Sequence, residues 1–175
     1  ELANTFPTKE DKTKPFSAYA QSKTLGGHLI RVESEFPISS MHLRFFSVYG
    51  PSQDYKRDIP PVVSVFLMNL IKGKSSTLYL EGKKKRDYIY VDDVTNYIES
   101  LIHPLHNSIN AHRIINIGTG ENISIEDLYK TCCVVAGKNI EPIYKKNDFW
   151  PDPTMTTLAD ISNLQFVIGK TFKTP

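Results

Sequence analysis

The residues best suited to chemistry are a tyrosine and a lysine one helical turn apart, Tyr19 and Lys23. They lie in segment 18–36, whose apolar residues recur at helical spacing. Side chains four residues apart in a helix share one face, so the ammonium is predicted to lie beside the phenol. A positive charge there favours the phenolate, and such a tyrosine can exchange a proton with a hydroxyl near neutral pH.

This spacing is not specific by itself. The chain contains nine tyrosines, and Tyr79 and Lys83 are also four residues apart. Gly82 lies between that second pair in a predicted turn, which indicates coincidence. A purely structural role for Tyr19 therefore stays open at this point.

The elements that would position this pair alternate between helix and strand. Ser17 is predicted to cap the first helix, and Gly26 and Gly27 within it would permit close approach of another backbone, such as a partner helix. Further predicted strands cover 39–48, 77–80, 86–91, 113–117 and 140–144, and further helices cover 60–72, 92–103, 125–137 and 160–169. This alternation is typical of an α/β or mixed sheet.

Three local patterns have a structural interpretation. Asp92 is predicted to cap a helix with Asp93 in its first turn, in preference to an acid pair. Segment 124–127 fits a capping box at the start of another helix. Segment 118–120 (GTG) lies between a strand and a helix, but it lacks the third glycine and the acidic ribose partner of a dinucleotide-binding loop.

Composition and charge argue against several classes of function. The 175 residues are 40% hydrophobic, and no apolar run approaches the roughly 18 residues of a membrane helix. Adjacent Cys132 and Cys133 indicate no disulfide framework, so a cytoplasmic location is predicted. No metal site is predicted, because Pro104 should break any helix shared by His103 and His106.

The basic run 83–86 (KKKR) is a weak basis for nucleic-acid binding, since the net charge of the chain is only +2. Its three lysines are interpreted as a solvated turn, and we predict no nucleic-acid partner. Arg86 differs from them because it begins a predicted strand.

Five segments in order resemble the extended short-chain dehydrogenases/reductases, specifically the NAD-dependent nucleotide-sugar epimerase/dehydratase family. They are SAYAQSK (17–23), LRFFSVYGP (43–51), RDYIYVDDV (86–94), NIGTG (116–120) and ADI (159–161). The resemblance implies the C-terminal part of a Rossmann-type doubly wound sheet plus a small α+β substrate-binding domain. It assigns residues 1–60 to the NAD-binding domain, and 61–175 mainly to substrate binding, interleaved with the last Rossmann strand and helix.

The resemblance also implies roles for particular residues. Tyr19 would be the base for a sugar hydroxyl, and Lys23 would anchor the nicotinamide ribose of NAD, the cofactor that removes hydride at carbon 4. Phe45 and Phe46 match positions beside the nicotinamide and the substrate, although core packing explains them equally well. Ser47 stands where relatives place an Asn or Thr that contacts the sugar nucleotide. Arg86 would bind the pyrophosphate through its planar fork, and Tyr88 would lie near the nucleotide ribose.

Two features of the family pattern do not occur in this sequence. There is no G-x-x-G-x-x-G loop for NAD, and no catalytic Ser or Thr in the right context before Tyr19. We therefore expect a fragment that alone binds no NAD and is inactive, from a protein that forms homodimers when intact.

The resemblance leaves the reaction open. UDP-hexose or UDP-hexuronate 4-epimerase is the first interpretation, because LRFFSVYGP is most like the uronate epimerases. A 4,6-dehydratase of the same family is the alternative, and a non-catalytic nucleotide-binding relative is a third.

Overall fold

The computed structural model describes residues 5–11, 14–32, 39–107, 111–147 and 154–174. In these ranges the helices are α1 (Ala18–Val32), α2 (Val62–Ile71), α3 (Val91–His106), α4 (Ile125–Ala136) and α5 (Ser162–Ile168). The strands are β1 (Ser40–Phe45), β2 (Ser47–Tyr49), β3 (Thr77–Tyr79), β4 (Lys85–Arg86), β5 (Tyr88–Tyr90), β6 (His112–Ile117), β7 (Ile123–Ser124) and β8 (Ile143–Lys145). A short 3-10 turn covers Leu80–Gly82.

Strand pairing in the described ranges is mostly parallel. β1 pairs with β6, β2 with β5, and β3 with β8, all in parallel, whereas β4 and β7 are antiparallel. Parallel strands need crossover connections, and helices supply them here. The predicted α/β class is therefore confirmed.

Helix α1 begins as the sequence predicts and packs on β1. The Ala20 amide donates to Ser17 Oγ at 3.1 Å, which is the predicted cap. A Cβ on Gly27 would overlap the His42 imidazole, so the close neighbour in the described chain is a side chain of β1 rather than a second backbone. Nothing described lies within 4 Å of a Cβ on Gly26. The predicted end of this helix at Phe36 lies outside the described residues.

Helix α4 follows its predicted local signals. Ser124 Oγ accepts from the Asp127 amide at 3.0 Å and donates to the Asp127 carboxylate at 2.6 Å. Gly137 follows the last turn in the left-handed conformation, with φ of 59°. Both signals act within one turn of the helix, so sequence alone could show them.

Helix α3 differs from its prediction at both ends. It begins at Val91, directly after β5, so Tyr90 and not Asp92 is the N-cap residue. The Asp93 carboxylate is buried and accepts from the amide and hydroxyl of Thr174, at 2.8 and 2.7 Å. Pro104 does not break the helix, which continues to His106 and contains both histidines.

Two hydrophobic clusters support these elements. One joins β5, α3, β6 and α5 around Ile89, Tyr97, Ile117 and Leu164. The other joins α2, β3 and α4 around Phe66, Leu70, Leu78 and Tyr129.

The division of the chain into two domains near residue 60 stays a prediction. Within the described ranges, no helix combines the length and apolar character needed to cross a bilayer.

Candidate active site

Segment 84–88 forms the centre of the candidate site. β4 pairs with β7 on one side of Asp87, and β5 pairs with β2 on the other. Successive side chains of an extended chain alternate in direction, so Lys84, Arg86 and Tyr88 should face one way. All three line the same cavity, and this agrees with the alternation.

This cavity has a volume of about 340 Å³, and we call it the Arg86 cavity. The described residues of its wall are Ser47, Val48, Tyr49, Gln53, Pro61, Val62, Val63, Lys84, Arg86, Tyr88 and Ile125. It brings together three residues predicted to bind substrate, namely Ser47, Arg86 and Tyr88. Ser47 and Tyr88 are direct neighbours in the β2–β5 register.

The described part of this wall is positively charged. Lys84 and Arg86 supply two cations, and the described residues of the wall include no Asp or Glu. Valine, proline and isoleucine side chains border these cations, which reduces the screening of their field by water. The cavity therefore favours an anionic ligand with an apolar portion.

Arg86 is held in place by the backbone of a distant segment. Its Nη1 donates to the carbonyls of Lys85 and Met155, at 2.8 and 3.3 Å, and its Nη2 donates to Thr154 O at 3.0 Å. The Lys85 amide in turn donates to Met155 O at 2.8 Å. Residues 154–155 therefore fix the direction of the guanidinium.

The Tyr88 hydroxyl remains protonated over the physiological range. Burial raises the pKa of Tyr88 to about 12, although the nearby Arg86 acts in the opposite direction. Tyr49 packs edge-on to Tyr88 with 6.3 Å between ring centroids. Burial also raises the pKa of Tyr49, helped by the charge of Asp93. Both phenols are thus neutral groups that can donate a hydrogen bond to a ligand in the cavity.

Asp87 is fully buried and organises the strands from behind the cavity. Its Oδ1 accepts from the amide and hydroxyl of Thr119, at 2.9 and 2.7 Å. Its Oδ2 accepts from the amides of Gly120 and Ala159, at 3.1 and 3.0 Å. Its carbonyl accepts from the Ser47 amide at 2.9 Å. The loop at 118–120 therefore wraps a carboxylate of the protein itself.

Gly118 makes this wrapping possible. A Cβ at this position would lie 2.9 Å from Asp87 Oδ2 and 2.7 Å from the Ala159 Cβ. Distances this short leave no room for a side chain. The glycine thus serves the approach of the loop to Asp87, not the approach of a dinucleotide.

Tyr19 and Lys23 lie together on α1, as their spacing predicts. The Lys23 ammonium stands 5.3 Å from the centroid of the Tyr19 ring, and Tyr19 is 73% exposed. Neither residue lines the Arg86 cavity. The structure thus places the predicted catalytic pair and the predicted binding residues on different elements.

Phe45 and Phe46 connect these two regions. Phe45 ends β1, opposite Ile117, and is 49% exposed, so it is not part of the buried core. The Phe46 amide donates to Ile117 O at 2.9 Å, and Ser47 then begins β2. Neither phenylalanine lines the Arg86 cavity. Their predicted contacts with cofactor and substrate stay predictions.

Sequence reasoning missed three polar residues of the wall. Lys84 was interpreted as part of a solvated turn, but it is half-buried in the cavity. Gln53 belongs to no motif in the sequence analysis, yet its amide donates to Val48 O at 2.9 Å and accepts from Ser64 Oγ at 3.2 Å. Tyr49 was only part of a motif. The two-residue period of Lys84, Arg86 and Tyr88 was the available signal.

The described residues do not include a group of three His, Cys, Asp or Glu side chains that could hold a metal ion.

The sequence profile of the NAD dependent epimerase/dehydratase family matches residues 3–118. The match includes α1 with its Tyr–Lys pair, the segment 84–88 and β6. The chain belongs to this family.

Relatives of the chain in this family have related activities. The UDP-glucose 4-epimerase of Mycolicibacterium smegmatis is 30% identical over 139 residues, which are 78% of this chain and 43% of that protein. The structure of the Thermotoga maritima UDP-glucose 4-epimerase with UDP-glucose matches with a TM-score of 0.88 and 26% identity, covering 100% of this chain and 55% of that one.

A second solved structure is the Bacillus cereus UDP-glucuronic acid 4-epimerase, in complex with UDP-glucuronic acid and NAD. It matches with a TM-score of 0.83 and 25% identity, covering 99% of this chain and 54% of that one. The Rossmann-type fold predicted from the motifs is confirmed by these matches. The chain spans about half the length of the curated relatives it matches.

The side chains on α1 fit one end of the cofactor that gives this epimerase/dehydratase family its name. Lys23 offers up to three donors and Tyr19 offers a hydroxyl, which suits the hydroxyls of a ribose. The sequence contains no G-x-x-G-x-x-G run for the pyrophosphate end. Helix α1 thus offers donors suited to a ribose, while the sequence contains no such run for a pyrophosphate.

Proposed function

We propose that this chain provides the nucleotide-sugar site and the catalytic Tyr–Lys pair of an NAD-dependent nucleotide-sugar 4-epimerase. The observation that carries the proposal is the Arg86 cavity, where the family's arginine meets Ser47 and Tyr88 on one wall. UDP-hexose and UDP-hexuronate are the first substrate classes, since relatives named for both match the chain over most of its length.

The cavity suits the nucleoside diphosphate portion of such a substrate. A diphosphate carries negative charge at neutral pH, and the described wall offers the cations of Lys84 and Arg86. The Tyr88 hydroxyl and the Ser47 hydroxyl are neutral donors for ribose or phosphate oxygens. Val62, Val63 and Ile125 offer the apolar surface that a nucleobase requires.

The pair on α1 would perform the proton transfer. Tyr19 takes the proton of the sugar hydroxyl and later returns it, while Lys23, beside the Tyr19 ring, holds the cofactor ribose. NAD, when bound, supplies the hydride chemistry at carbon 4. Phe45, exposed at the end of β1, is proposed to border the nicotinamide, with Phe46 on the substrate side.

The alternative reaction is 4,6-dehydration. The family name covers both reactions, and both would use the Tyr–Lys pair. The relatives described above are named 4-epimerases, and this favours an isomerase over a lyase.

We also propose that the natural protein is a cytoplasmic homodimer. Helix α1 supports the dimer, because Leu25, Leu29 and Ile30 are exposed on it. Light scattering of the purified natural protein would measure its mass, and a monomer at micromolar concentration would contradict this part of the proposal.

Turnover tests the proposed reaction. The natural protein should interconvert UDP-glucose and UDP-galactose, or the corresponding uronates, when assayed with NAD. Tyr19→Phe should reduce kcat by about 10²-fold or more, because the proton acceptor is removed. Tyr55→Phe is the matched control, since Tyr55 is also exposed but lies outside the proposed site. Full activity of Tyr19→Phe would show that another group is the base.

Calorimetry tests which ligands the 175-residue chain binds by itself. We expect UDP to bind, since the described wall of the Arg86 cavity brings together Ser47, Arg86 and Tyr88. We expect NAD to show no micromolar binding, because no glycine-rich loop is present in the sequence. Tight NAD binding by this chain would contradict the prediction that the chain alone binds the nucleotide but not NAD.

A further inference from the structure

Lys84 enters the wall of the Arg86 cavity through strand pairing. Its carbonyl accepts from the Ile125 amide at 2.9 Å, which extends the antiparallel ladder between β4 and β7. The residue directly precedes β4, and its side chain is half-buried. A backbone held in this way fixes the direction of the side chain toward the cavity.

The two neighbouring lysines have different surroundings. Lys83 is exposed and forms an ion pair with Glu81. Lys85 is exposed, and the two-residue period of the extended chain turns it away from the cavity. Only one residue of the basic run besides Arg86, namely Lys84, belongs to the described wall. The run is therefore not a uniform charged surface.

A diphosphate requires more donors than Arg86 can give alone. Both Nη atoms of Arg86 already donate to backbone carbonyls of residues 85, 154 and 155. A second cation on the same wall adds donors and charge for a second phosphoryl group. An ammonium suits this task as a point charge beside the planar fork of arginine.

We infer that Lys84 is a second phosphate-binding residue that, with Arg86, selects a nucleoside diphosphate over a monophosphate. This inference rests on the proposed function, because it assigns the diphosphate of the nucleotide sugar to the Arg86 cavity. It makes Lys84 a determinant of ligand class rather than a solvated surface charge.

Calorimetry of the 175-residue chain with UDP and with UMP tests this role. Lys84→Met should weaken UDP binding about tenfold, which is the usual worth of one charge-assisted hydrogen bond. UMP binding should weaken by less than about threefold, since Arg86 still serves its single phosphate. Lys84→Arg should restore most of the UDP affinity, because it keeps the charge and the donors.

Lys85→Met is the matched control. It removes the same charge from the adjacent residue, so any general loss of electrostatic attraction appears equally in both variants. Its UDP affinity should stay within about twofold of the parent. Circular dichroism of each variant confirms that the fold is retained.

The outcomes separate the two proposals. If the parent binds UDP and Lys84→Met matches Lys85→Met, the role of Lys84 is overturned and the nucleotide site stands. If the parent binds neither UDP nor UMP, the nucleotide site itself is overturned, and Lys84 falls with it. A loss of UDP selectivity limited to Lys84→Met supports both. If Lys84→Met does not fold, an unchanged UDP-to-UMP preference in Lys84→Gln overturns the inference.

Discussion

Helix α1 and segment 84–88 carry the two parts of the proposed site, and they are held in opposite ways. On α1, Ala20 is buried while Tyr19 is 73% exposed, and the pair with Lys23 forms within one helical turn. Segment 84–88 is tied by pairing with β2 and β7 and by the contacts of Asp87. Local geometry alone positions the proposed proton-transfer pair, whereas long-range contacts position the proposed binding residues.

The substitution with the largest expected effect removes the carboxylate of Asp87. Asp87→Ala leaves the donors of Thr119, Gly120 and Ala159 buried without an acceptor, and we expect it to lower the free energy of unfolding by about 3–5 kcal/mol. Urea unfolding followed by circular dichroism measures the change. Asp92→Ala is the control, since Asp92 is exposed in the first turn of α3 and should cost less than about 1 kcal/mol. Equal effects would show that Asp87 is not the organising group.

One substitution made in both regions should have opposite effects. Gly118→Ala forces a Cβ against Asp87 and Ala159 and should lower the free energy of unfolding by about 1–3 kcal/mol. Gly26→Ala on α1 meets no described atom within 4 Å and should raise it by about 0.5–1 kcal/mol, because alanine is the better helix former. Thermal unfolding of the two variants compares them directly. Stabilisation by Gly118→Ala would contradict the close approach of the 118–120 loop.

Alkaline pH should lower the stability of the folded chain through ionisation of Tyr88. Its pKa is raised to about 12 in the folded chain, above the ordinary value near 10. The native state therefore favours the neutral phenol, and this stability is fully present below pH 10 and lost as the pH rises toward 12. Urea unfolding from pH 8 to 11.5 should show a smaller loss in Tyr88→Phe than in the parent chain. Parallel curves would show that Tyr88 is not shifted.

The smallest change in stability is expected on α1. Lys23→Met removes an exposed ammonium from the face of the Tyr19 ring and should change the free energy of unfolding by less than about 1 kcal/mol. Lys130→Met, at another exposed helix lysine, is the comparison. Turnover by the natural protein should nevertheless fall strongly in Lys23→Met alone. A large loss of stability would show that α1 depends on this pair for its fold.

The predictable features of the fold are those set by neighbours in sequence. Ser124 and Gly137 bound α4 as expected, because a cap and a left-handed residue act within one turn. Asp92 was wrongly predicted to be a cap, since β5 leads directly into α3. The partner of Asp93, Thr174, is 81 residues away, and no local pattern could indicate it.

The candidate site divides in the same way. The helical spacing of Tyr19 and Lys23 predicted their contact correctly. The cavity around Arg86 depends on residues from four separate segments, so only the family resemblance suggested that Ser47 and Tyr88 would serve the same ligand. Lys84 was missed because the basic run 83–86 is typical of a solvated turn. Its backbone hydrogen bond with Ile125 nevertheless directs the side chain toward the cavity.

The hydrogen bonds from Arg86 to residues 154–155 affect the entropy change that accompanies ligand binding. A free arginine side chain would lose many rotamers on meeting a phosphate, at about 0.5–1.5 kcal/mol of entropic penalty. Hydrogen bonds from Nη1 and Nη2 to Met155 and Thr154 restrict those rotamers in the folded chain itself. Folding has thus already ordered this guanidinium, and nucleotide capture should carry a correspondingly smaller unfavourable entropy.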